Sequence, residues 1–79
     1  MKDLYERLYE DVIVKAREAG IPRTLVVRYF MDAYERHKHQ HGSFKNHPEY
    51  NEKMNGRYLW QHDQTLKYIE ELKNAKETR

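Results

Sequence analysis

"AREAGIPRTLVVRYF", residues 16–30, holds the corner from which the fold can be read. Gly20 supplies the left-handed residue that ends a helix, and Ile21 the apolar contact that commonly follows. Pro22 suits the first turn of a new helix, where its missing N–H would be unpaired in any case. Upstream, Leu4, Tyr5, Leu8, Val12, Ala16 and Ala19 recur at three- and four-residue spacing, which predicts a helix over residues 2–19 with one apolar face. Asp3–Arg7 and Asp11–Lys15 place opposite charges four apart on it. Downstream, Leu25, Val26, Tyr29, Phe30, Ala33 and Tyr34 form a strong apolar face, widened by Val27 and Met31, and predict a second helix over 22–41 ended by Gly42. At about 100° per residue this arc covers roughly two-thirds of the helix, as expected of a central or interface helix.

A second punctuation point, "HGSFKNHP" at 41–48, predicts a basic loop over 42–47. The third helical segment then spans 48–76, starting at Pro48 with Asn46 or His47 as its cap. Met54, Tyr58, Leu59, Leu66, Ile69 and Leu72 fall on one side of it, and Asn55-Gly56 is a break signal inside it. The closing "AKETR" is expected to fray. The expected fold is a small all-α domain: a helical hairpin with a tight Gly-Ile-Pro corner plus a C-terminal helical segment, either one long helix with a weak point at Gly56 or a short and a long helix divided there.

Composition limits the functions open to such a domain. At 79 residues the chain is near the lower size for folding alone, where only about 60% of the unfolded surface is buried and a deep catalytic cleft would be costly. There is no cysteine, which removes disulfides and thiolate zinc sites and suits a cytoplasmic setting. "MKDLYERLYED" is charged from its second residue, so neither a signal peptide nor a membrane span is expected. The formal net charge is only +2, weak support for nucleic-acid binding. Seven tyrosines and one tryptophan suit surfaces that are wet in one state and buried in another.

The corner has a second reading. Ala16, Gly20, Ile21, Val26 and Tyr29 occupy the small, glycine and apolar positions of a helix-turn-helix, and "AREAGIPRTLVVRYF" resembles that region of TetR-type repressors. The resemblance covers about fifteen residues and implies a recognition helix presenting Arg23, Thr24, Val27 and Arg28 to duplex DNA. It departs at Lys15, where the pattern has an apolar residue, and the separate helix such repressors carry ahead of the motif is absent. Asp32 and Glu35 continue the same polar stripe and would repel a phosphate-lined groove. The weight of these features favours a plain corner between packed helices.

His37 and His41 are four apart and could share a metal ion from one helical face, with His62 as a third nitrogen and Glu49 as a carboxylate. The bland alternatives are a cation-favouring helix end for His37 and His41, and a half-buried core position for His62. No H-E-x-x-H pattern, glycine-rich phosphate loop or nucleophile–base arrangement appears, and Ser43 is the only serine. Neither catalysis nor a cofactor is expected. Trp60 lies about 180° from the apolar centre of the third helix near Ile69 and Tyr58, which makes it the expected anchor of a binding surface. Tyr9, Val14 and Met31 are the companions expected on that surface. The sequence thus points to a non-enzymatic helical binding protein that modulates or inhibits a protein partner, in the style of a phage or mobile-element accessory protein. DNA is the alternative partner, a homo-oligomer is a further arrangement it admits, and a membrane is not expected.

Overall fold

Helix α1 (Leu4–Glu18) begins where Asp3, in extended conformation, takes the Glu6 N–H on its carboxylate at 2.9 Å. It ends in a Schellman arrangement: the Ile21 N–H donates to the Ala16 carbonyl at 2.9 Å and the Gly20 N–H to the Arg17 carbonyl at 3.1 Å. This needs a positive φ at Gly20, which is +70°, and it folds Ile21 back into the core. Pro22 stands one position earlier than expected, as the residue before α2 (Arg23–His41), and its carbonyl accepts the Leu25 and Val26 N–H groups. Helix α3 (Tyr50–Glu77) completes the element order in this computed structural model, which describes residues 3–77 and the side chains of 3–75. The three helices pack against one another as an all-α domain, as expected. Residues 78 and 79 of the segment expected to fray lie outside the described residues.

Val12 and Ala16 share a buried cluster with Ile21, Val26 and Phe30 beside the corner. Three turns further from it, Tyr5 and Tyr9 still pack on Phe30, with ring centroids at 5.8 and 5.6 Å. Contact between α1 and α2 near the start of α1 is carried by the long tyrosine side chains. Asp11 turns away from Lys15 and meets His62 across the bundle, Oδ2 to Nε2 at 2.7 Å.

Of the two arrangements expected of α3, the structure has the single long helix, while its start and its buried face differ from expectation. It runs through Asn55-Gly56 without a break, because Gly56 keeps helical backbone and tertiary packing on both sides outweighs its low propensity. It also begins at Tyr50 rather than Pro48, although His47 does cap the preceding turn, its Nδ1 accepting the Glu49 N–H at 3.0 Å. The buried arc is rotated from the expected one as well. Leu59 is 52% exposed, while Arg57, Gln61 and Thr65 are fully buried between Met54 and Ile69. The Gln61 amide donates to the Phe30 carbonyl at 2.8 Å and the Thr65 hydroxyl to the Gln61 carbonyl at 2.7 Å, while Gln61 Oε1 is buried without a hydrogen-bond partner among the described residues. Burial of polar groups is tolerable when such bonds form.

Candidate functional site

At 28 residues α3 is about 42 Å long and extends past the start of α1. At that end the last turns of α2, the loop 42–49 and the first turns of α3 pack without α1. Arg57 organises this region. Its Nε donates to His37 Nδ1 at 3.0 Å, Nη2 donates to the Gly42 carbonyl, and Nη1 points to Met54 Sδ at 3.7 Å. The guanidinium carbon lies 4.4 Å from the Phe44 ring centroid and 5.4 Å from that of Tyr34. A cation there is favoured by the carbonyl end of α2 and by both ring faces. Phe44 holds a φ of +61°, an uncommon conformation for a non-glycine residue, and its ring covers the guanidinium.

Beside this core lies a cleft of about 370 Å³ between His41 and Phe44 on one side and Lys53, Gly56 and Trp60 on the other, with Glu52 at its edge. Trp60 is half-buried, its ring 5.3 Å from His37 and under the Arg36 guanidinium at 5.9 Å. Arg36 also lies over Tyr29, which stacks on Tyr68 at 4.2 Å and 4°. The expectation that Trp60 points clear of the bundle is therefore corrected. The rotated register of α3 brings it onto the flank of α2, at the rim of the cleft.

Charge is distributed unevenly around this end. Residues 36–57 hold five of the Lys and Arg residues against two carboxylates, and four of the five histidines. The formal positive charge of the whole chain therefore resides here. Burial, then His41, then Arg57 push the pKa of His37 below its usual value.

The histidines do not assemble as a metal site. His37 and His41 are neighbours, with ring centroids at 4.3 Å, but His62 faces α1 and Asp11. Because His37 Nδ1 accepts from Arg57, its neutral ring carries the proton on Nε2, the nitrogen a metal approaching from the cleft would need. Glu49 is exposed beyond the loop, and among the described residues no group of three His, Asp or Glu is arranged to hold a metal ion. The Ser43 Oγ accepts the Lys45 N–H at 3.4 Å in a local turn.

The other sequence candidates divide into separate surfaces. Tyr9 is half-buried on Phe30, and Met31 is 44% exposed on the α1 side of α2, its sulfur 3.8 Å from the Tyr5 hydroxyl. Val14 is exposed on the outer face of α1, and Trp60 lies on the α3 side of α2. Arg23, Thr24, Val27 and Arg28 do come together with Tyr9 along a shallow groove, where Arg23 Nη2 donates to the Tyr9 hydroxyl at 3.5 Å. Arg36, Phe44, Lys53 and Arg57 were not singled out in the sequence. For Arg57 a signal existed: 57, 61 and 65 continue the line from Met54 to Ile69 on one helical face. Among the described residues no helix is long and apolar enough to cross a membrane. No protein-family model, curated protein or solved structure matches the chain.

Proposed function

We propose that this chain is a non-enzymatic binding module that docks a protein partner through the end formed by α2, the 42–49 loop and the start of α3. The observation that supports this reading is the concentration of positive charge and aromatic rings around one cleft. Trp, Tyr and Arg dominate binding hot spots because they combine large apolar area with directed polar groups. Arg36, Trp60 and the 42%-exposed Tyr50 supply those types here. The complementary partner surface is acidic, and such pairing steers encounter and selects partners.

A photo-crosslinking residue at position 53, compared with one at the outward-facing position 14, tests the reading in cells of the source. The expected result is a protein adduct through 53, absent through 14 and reduced by salt. Equal adducts through both positions, or nucleic acid in the adduct through 53, would refute it. One observation favours a second reading, duplex DNA recognition: Arg23, Thr24, Val27 and Arg28 share a groove. Against it, Asp32 and Glu35 follow on the exposed stripe and would repel phosphates. Nanomolar binding of a selected duplex, lost in Arg28→Ala, would favour that reading over protein docking.

A further inference from the structure

We infer that the cleft beside Arg57 is a carboxylate pocket, which receives an acidic side chain of a peptide segment of the partner. This inference rests on the docking end proposed above and names the chemistry it reads. Arg57 is fully buried, yet its hydrogen bonds run to an imidazole nitrogen, a backbone carbonyl and a thioether, none of them a carboxylate. A buried guanidinium creates a positive field in its surroundings that solvent screens poorly. The cleft lies against it, and Lys53 and His41 also line that cleft. His37 also lines the wall.

The size and the charge balance define the occupant. A volume of about 370 Å³ lies at the low end of the range for ligand clefts, about 300–1,000 Å³. Glu52 lines the same cleft as Lys53 and Arg57, so two permanent cations face one carboxylate and a single negative charge restores neutrality. A phosphate monoester carries about −1.5 to −2 and would be left partly uncompensated next to Glu52. A Glu or Asp side chain carries one charge on a planar group. Trp60 and Phe44 line the same cleft.

The test is a heteronuclear NMR titration of the full chain with a blocked Glu-Gly repeat peptide, alongside a blocked Gln-Gly peptide and inorganic phosphate. With the acidic peptide, the Trp60 indole N–H and the Gly56 amide are expected to shift saturably; with the Gln-Gly peptide they are not, and phosphate binds more weakly. Lys53→Gln is expected to weaken binding about three- to fivefold, the upper range for an exposed ion pair, and Glu52→Gln to tighten it by a similar factor. Both side chains are exposed, so neither change threatens the fold. Lys67→Gln, remote and paired with Asp63, is expected to leave binding unchanged. A silent Trp60 indole, equal affinity in Lys53→Gln, or phosphate binding more tightly than the acidic peptide would each overturn the inference. If the crosslink through position 53 still captures a protein while the titration is silent, the docking end stands and only the carboxylate pocket falls.

Discussion

Replacing Arg57 separates what its charge does for the fold from what its packing does. In favour of the guanidinium are two charge-assisted hydrogen bonds, to His37 and Gly42, at about 1.5–3 kcal/mol each. The Tyr34 and Phe44 faces add about 0.5–1 kcal/mol apiece. Against them stands the desolvation of a fully buried ion, several kcal/mol even after relaxation. The opposing terms are of similar size, so the net value of the charge to stability is small. Arg57→Met keeps a long stem in the same space and removes the desolvation. Gly42 is exposed and its carbonyl can turn to water, which leaves His37 Nδ1 as the acceptor without a donor. The expected loss is about 1–2 kcal/mol. Arg57→Lys retains a buried cation that is more strongly hydrated and lacks the fork to reach all three acceptors, so its expected loss is about 3 kcal/mol. In a domain of this size each kcal/mol lowers Tm by about 4–8 °C. Urea unfolding followed by far-ultraviolet circular dichroism would rank the two variants. A Lys variant more stable than the Met variant would refute the reasoning and show that the charge itself holds the loop.

Gly56→Ala is expected to stabilise the protein by about 1 kcal/mol, the propensity difference in a helix interior, because a Cβ there meets nothing within 4 Å; a lower Tm would show that Gly56 is packed against its surroundings. His37 has a folded pKa below its usual 6.5, so the unfolded chain takes up the proton first as pH falls. Stability should therefore be full above about pH 6.5 and decline as pH drops below it, with a flatter Tm profile in His37→Gln, whose side-chain oxygen can still accept from Arg57. Trp60→Ala is expected to cost about 2 kcal/mol, roughly half the loss for a fully buried tryptophan, because the ring is half-covered by His37 and Arg36; an unchanged Tm would mean that the indole contributes only to binding.

The sequence by itself determined the helices and the first corner, because those are set locally. Gly20 with Ile21 and Gly42 after α2 act within a few residues, and the apolar spacing of Leu4 to Ala16 and of Val26 to Ala33 follows the helical period, whereas Asp3, expected inside the first helix opposite Arg7, is its N-cap. The basic character of the loop was equally legible. Tertiary structure decided the orientation of α3 and, with it, the cleft. Arg57 and Gln61 continue the helical line of Met54 and Ile69, but their burial depends on His37, Gly42 and the Phe30 carbonyl, partners from another helix and a loop. Gly56 leaves one helix or two open until packing on both sides carries the helix through it. His62 and Asp11, fifty-one residues apart, and Trp60 and Arg36 are joined only by the bundle. A polar side chain carries no local mark of being buried. Burial becomes tolerable only when distant backbone and side chains satisfy its hydrogen bonds, and that condition belongs to the assembled bundle rather than to any one segment.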